Sequence, residues 1–243
     1  MNNRALATVS QIILVCVCFM AVNAPAFAKR RPPGGGRLAV VVDERLSALR
    51  TTPAFSGVLL RRIGRGGLVS ITAARTNRDG VVFYRVNLTR RTSGWIQRDA
   101  VVSPSRVGDD VRLVNLIKGS EEFDRIVRAR IFLDNFRLSG LRPEVLMIFA
   151  LAAEEAAVDL SREAFRRLDD REMTAGGAPV FSYFLNYNGL DRYNRQGITF
   201  IFNAREKSFR YDGEGWREII HRYPRSPEAE EARRRVATLN IRE

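Results

Sequence analysis

Residues 77–96 read NRDGVVFYRVNLTRRTSGWI, and the fold of the first half of the chain turns on them. Asp79-Gly80 forms a tight turn readily, because such turns need positive φ and glycine takes it without steric cost. After it, Tyr84 and Val86 alternate with Arg85 and Asn87, the period of two that gives a strand one apolar and one polar face. A turn at residues 89–93 carries Arg90 and Arg91, and the apolar run resumes at Gly94, Trp95 and Ile96. Upstream, the runs at residues 38–42, 58–63 and 68–73 are short, apolar and rich in β-branched side chains. Gly64-Arg65-Gly66-Gly67 separates the last two. Five short strands with turn signals at this spacing predict a small barrel over residues 38–104.

The N-terminal residues read as an export signal. Arg4 precedes an apolar stretch of about eleven residues, and Ala26-Phe27-Ala28 supplies the small-x-small pattern for cleavage. A membrane span needs roughly twenty apolar residues, so residues 1–28 are expected to be removed. Valine precedes both Cys16 and Cys18, which does not fit a lipoprotein signal, and both cysteines leave with the signal. A mature chain beginning at Lys29 therefore has no thiol, which excludes disulfides, thiol catalysis and thiolate metal sites. Its one histidine, His221, excludes a multi-histidine metal centre, and no metal or other cofactor is expected. Residues 29–37, KRRPPGGGR, are a linker with no apolar side chain to bury.

Charge is unevenly distributed. Of the 40 basic residues 37 are arginine, a bias that a GC-rich genome produces as readily as selected binding chemistry. Residues 29–118 carry a net charge of +12, while residues 119–243 are neutral. The first half is therefore suited to polyanions. Export makes nucleic acid the weaker choice and favours wall carboxylates or envelope phosphates; a merely well-solvated surface is the alternative.

Several pieces in order carry a resemblance: Leu49-Arg50 followed by Pro53, the glycine turn at Gly66-Gly67, Phe83-Tyr84-Arg85-Val86, Ser93-Gly94-Trp95-Ile96, and the closing Val101-Val102. Residues 38–104 resemble the bacterial SH3-like (SH3b) domain. Phe83-Tyr84 stands where that family commonly has a tryptophan-tyrosine pair, and residues 89–93 lengthen a loop with two arginines. The resemblance implies a non-catalytic module of an exported protein, binding cell-wall components or proteins. Trp95 and Tyr84 are then candidates for an aromatic shelf, with burial in the barrel or support of its turns as the alternative and the preferred one for Trp95. Arg61, Arg62, Arg65, Arg90 and Arg91 would form an anion clamp if their loops converge at one end of the barrel.

Beyond residue 105 the apolar period becomes helical. Ser120 is expected to cap a helix bearing Phe123, Ile126, Val127 and Ile131 on one face, ending at Gly140. Pro143 opens a second helix reaching Ala157, and a third begins near Ser161 with Ala164, Phe165 and Leu168 turned inward. Thr174-Ala-Gly-Gly-Ala178 breaks the run. Residues 190–209 fit a helix, yet residues 198–202 equally fit a strand, and periodicity does not separate the two. Trp216, Ile219, Ile220 and Tyr223 make a helix face stopped by Pro224, and Ser226-Pro227 starts another helix with Ala229, Ala232, Val236 and Leu239. Residues 216–239 resemble half of a tetratricopeptide-like hairpin, so residues 119–243 are expected to be an all-α bundle or irregular helical repeat.

No constellation supports catalysis. Glu154 and Glu155 are adjacent and point about 100° apart on a helix, so they do not face one another. His221 lies in the last turn of its helix, where the dipole favours a cation. The expectation is an exported non-enzymatic adaptor: a basic barrel for an anionic envelope polymer or protein, and a helical half for a protein partner. An oligomerising envelope scaffold and a carboxylate-dependent wall hydrolase are its rivals.

Overall fold

From Ala39 to Val42 the run is apolar at every position because both of its faces are covered, while Leu38 before it is exposed. In the computed structural model, which describes Pro32 and residues 35–241, β1 (Arg37–Val41) turns Ala39 and Val41 into one hydrophobic core. Val40 and the following Val42 point the other way, into a second core. A strand buried on both sides loses the polar alternation of a half-exposed one. The predicted signal peptide, residues 1–28, and most of the linker fall outside the described residues.

Six further strands complete an antiparallel sheet: β2 (Ala48–Arg50), β3 (Leu59–Arg62), β4 (Leu68–Thr76), β5 (Val82–Asn87), β6 (Ser93–Gln97) and β7 (Val101–Val102). Their spatial order is β3-β2-β6-β5-β4-β1-β7. The five predicted strands are present; β2 and β7, three and two residues long, are too short for periodicity to mark as strands. The β4–β5 hairpin turns at Asn77 to Gly80, but not with two positive φ values. Only Gly80 enters that region, at +78°. The Gly80 N–H donates to the Asn77 carbonyl at 3.2 Å, and the Asn77 side-chain oxygen accepts from the N–H groups of Asp79 and Val81. Leu49, Ile63, Val69, Val86 and Ile96 fill the core on the inner face.

The helical half is built around α3 (Arg142–Arg167), with Pro143 in its first turn. The second and third predicted helices are one. Ser161 does not cap a new helix, for its hydroxyl donates back to the Ala157 carbonyl at 2.7 Å. The same oxygen accepts the Phe209 N–H at 2.7 Å, which ties a β-hairpin to the helix. That hairpin, β8 (Phe200–Asn203) and β9 (Ser208–Tyr211), settles the ambiguous segment as strand and shows that this half is not all-α. Its turn is held by the Asn203 side chain, which accepts from Arg205 and Glu206 N–H. Phe184 stacks on Phe202 with centroids 4.6 Å apart.

Two helices precede α3. The first, α1 (Asp109–Lys118), has Asp109 and Asp110 in its opening turn and buries Leu113, Val114 and Ile117; it is absent from the sequence expectations. The second, α2 (Glu122–Asn135), has Glu121 in the N-cap position. Ser120 is not its cap, because its hydroxyl donates to the Leu116 carbonyl and accepts from Arg128. Short helices α4 (Asp170–Gly176), α5 (Val180–Leu185) and α6 (Asp191–Asn194) lead to the hairpin, with Gly177 at φ +70° ending α4. Phe165, predicted inward, is 62% exposed. At the C-terminal end α7 (Glu214–Arg222) and α8 (Glu228–Ile241) flank Pro224 as expected. Trp216, Ile219, Ala229 and Ala232 are buried against α3. Among the described residues, no helix is long and apolar enough to cross a membrane.

The sheet and the helices share packing. Val40, Val42 and Val102 belong to the helical core, while their chain neighbours Val41 and Val101 belong to the sheet core. The buried Arg128 on α2 donates from Nε to the Val42 carbonyl at 3.2 Å and from Nη1 to the Ser120 hydroxyl at 2.6 Å. Burial pulls its pKa below the usual arginine value.

Candidate functional site: an arginine and aromatic face

The β5–β6 register pairs Tyr84 with Ile96 and Arg85 with Trp95. Residues directly opposite in a ladder share a face, so Tyr84 lies on the inner face with Ile96, and Trp95 lies on the outer one. The predicted shelf of Tyr84 and Trp95 is therefore not assembled. Tyr84 is half-buried against the sheet core, and its hydroxyl accepts from Arg106 at 3.1 Å. Trp95 belongs to neither core and is half-buried on the outside.

Around Trp95 the register gathers three arginines. Arg50 of β2 pairs with it on one side and Arg85 of β5 on the other. The Arg75 guanidinium of β4 lies 5.9 Å from the indole centroid, within cation–π range. Phe83, on the same face, is covered by Phe55, whose ring meets it edge-on at 5.5 Å. Arg50 reaches back to the Gly57 carbonyl at 2.9 Å and so fixes the loop that carries Phe55. Among the described residues, none of Arg50, Arg75 and Arg85 has a carboxylate partner. From Arg45 to Arg78 the sequence has no aspartate or glutamate at all, so nothing on β2, β3 or β4 neutralises this face. Sequence reasoning placed Arg85 opposite Tyr84 but missed Arg50 and Arg75, since only the register brings them to Trp95.

The predicted five-arginine clamp is not assembled either. Arg61 and Arg62, paired with Leu49 and Ala48, are successive residues of β3 and point to opposite faces. From the Arg50–Trp95 pair, antiparallel register carries them toward the Gln97 end of β6. Arg90 and Arg91 sit on the turn before Ser93, at the other end. Arg65 is engaged with the helices instead. Its guanidinium forms a two-pronged ion pair with Asp124 of α2, at 2.5 and 3.1 Å, and its side chain is largely buried. That hydrogen bond, together with the nearby charges of Arg65 and Arg128, holds the Asp124 carboxyl below its usual pKa. Asp43 is likewise lowered, chiefly by its hydrogen bond from Arg45. The Arg65–Asp124 pair joins the sheet to the helices, while the Asp43–Arg45 pair stays within one loop.

The helical half has its own groove, about 790 Å³, between α2 and α3, with Arg125, Glu155, Asp159, Arg162 and Phe165 on its walls. Its charges largely face one another: Arg125 is 3.6 Å from Glu155 and Arg162 is 3.3 Å from Asp159. Glu154 points elsewhere, accepting from Trp216 Nε1 at 2.8 Å and Arg235 Nη1 at 2.7 Å, which fastens α7 and α8 to α3. His221 is exposed in the last turn of α7. Among the described residues, no three acidic, histidine or cysteine side chains are grouped to hold a metal. Comparison with known proteins assigns no family: no family model matches the chain, and no curated protein or solved structure matches it.

Proposed function

We propose that the chain is an exported, non-enzymatic adaptor whose sheet half holds a carboxylate-rich component of the cell envelope. In this reading residues 38–104 are an SH3-like barrel of the SH3b kind. The SH3b-like residue order and the antiparallel sheet built from it support that assignment. The helical half, tetratricopeptide-like at its C-terminal end, serves a protein partner. The observation that carries the reading is the outer face of the sheet. Three arginines without carboxylate partners surround a half-buried tryptophan. Arginine guanidinium presents paired donors that fit a carboxylate, and the indole offers an apolar plane beside it.

The required chemistry, clustered carboxylates, comes from wall peptides or from an acidic protein segment, and one experiment separates them. The purified chain is sedimented with cell-wall sacculi and, in parallel, titrated with polyglutamate, both across a salt series. Salt-reversible binding to at least one is expected, because exposed ion pairs are screened within about 8–10 Å at ordinary ionic strength. Arg75→Glu with Arg85→Glu is expected to abolish it. Pelleting with sacculi alone names the wall, and binding of polyglutamate alone names a protein. The reading fails if neither ligand binds, or if the charge reversals leave binding unchanged.

A further inference from the structure

Strand β3 ends the sheet, and among the described residues no strand pairs with its outer edge. All four of its residues, Leu59 to Arg62, are exposed. In an antiparallel pair, alternate N–H and C=O groups point away from the partner strand, so this edge presents unused donors and acceptors to solvent. Such an edge is a template for another strand unless it is blocked. No proline interrupts β3. The surrounding surface is apolar: Phe55 is 52% exposed, Val58 69%, Leu59 46% and Leu60 48%. Contiguous exposed apolar groups of this kind mark interaction sites.

Charge selects the occupant. Arg61 and Arg62 have no carboxylate partner among the described residues, and no acidic residue occurs between Glu44 and Asp79. A second copy of the chain docking β3 against β3 would crowd four guanidinium groups along one four-residue ladder, with no acidic residue between Glu44 and Asp79 to offset them. The opposite edge, at β7, is not equally open, since Arg112 of α1 donates to the Asp99 and Val101 carbonyls there. We infer that β3 accepts an extended segment of a partner protein that alternates acidic and apolar residues, adding to the sheet as an eighth strand. Alternation puts the segment's carboxylates on one face, where they meet Arg61, and its apolar side chains on the other, where they lie against Leu60. This inference rests on the reading that the sheet half takes a carboxylate-rich ligand, and it makes that ligand a protein strand.

The test uses the full chain and a labelled, capped peptide of alternating glutamate and valine. A second version carries N-methyl groups on every other residue, which keeps its charge and side chains but removes the N–H donors facing β3. Anisotropy reads affinity, and hydrogen exchange reads the amides of residues 58–63. The parent peptide is expected to bind and to slow exchange there. N-methylation is expected to weaken binding by at least about tenfold, the effect of losing one or two hydrogen bonds. Arg61→Glu with Arg62→Glu, both fully on the surface, is expected to do the same. Equal binding of both peptides, or binding without protection at β3, overturns strand addition while leaving the carboxylate-binding face standing. If the parent peptide, polyglutamate and sacculi all fail to bind, both proposals fall; if the parent peptide alone fails, only this one does.

Discussion

Replacing Val40 and Val42 together by alanine tests whether the sheet and the helices form one cooperative unit. Both side chains are almost completely buried and enter the helical core, although they belong to the first strand and its continuation. Each substitution removes two buried carbons, at about 0.8 kcal/mol apiece. The pair therefore loses about 3 kcal/mol of transfer free energy, and the unfilled space raises the total to about 4 kcal/mol. With a urea dependence of roughly 3 kcal/mol per molar for a unit of this size, the midpoint falls by about 1 M. The two tryptophans report separately, Trp95 from the sheet and Trp216 from α7. Trp95→Phe isolates the helical signal and Trp216→Phe isolates the sheet signal, with the valine effect measured within each background. Both signals are expected to move by the same amount. If only the Trp216 signal moves, or the transitions separate, the shared-core argument is refuted.

Asp124 and Asp43 are both held below the ordinary carboxylate pKa by arginine partners. Their contribution is complete above the unfolded value near ~4 and is lost as pH falls through the lower folded values. Melting temperature is thus expected to be level from about pH 7 to 5 and to fall below about 4, less steeply for Asp124→Asn; a fall that begins near pH 6 contradicts this account. Gly80→Ala forces a side chain into φ +78° in open space and is expected to cost about 1 kcal/mol. By contrast, Gly64→Ala, which meets nothing within 4 Å and has no positive φ, is expected to stay within about 0.5 kcal/mol; calorimetry on the pair checks both. Glu154→Ala leaves the Trp216 indole N–H buried without its acceptor and is expected to cost about 2 kcal/mol. It should also speed hydrogen exchange in α8, which loses its tie through Arg235, and unchanged exchange there would show that the tie is dispensable.

Several local features were legible in the sequence because their causes are local. The Asn77-Arg78-Asp79-Gly80 turn needs only glycine's freedom at one position and the Asn77 side chain reaching over its own backbone. Pro143 at a helix start, Gly177 at a helix end and Pro224 between two helices act within a turn of themselves. The apolar run at Leu38 to Val42 announced a strand, but not that its two faces serve different cores, since that depends on what packs from elsewhere. The ambiguity of residues 198–202 had the same origin: Ser161, some 48 residues from Phe209, supplies the hydrogen bond that anchors the hairpin. Tertiary structure also overruled local signals at Ser120 and Ser161. A serine beside an apolar run reads as a cap, yet each hydroxyl instead bonds the preceding turn and a partner from another element.

The candidate site shows the division most sharply. Sequence established that the first half is strongly basic, that no acidic residue lies between Glu44 and Asp79, and that Arg85 and Tyr84 face opposite ways. It did not establish which arginines meet. Pairing register decides that, because shifting a strand by one residue exchanges its faces. The register separated Trp95 from Tyr84, scattered Arg61, Arg62, Arg90 and Arg91, and gave Arg65 to Asp124. It assembled Arg50, Arg75 and Arg85 around Trp95 from four strands spread over 46 residues of chain. Charge and turn chemistry are properties of short segments, whereas a binding face is a property of strands brought together, and only the folded sheet contains it.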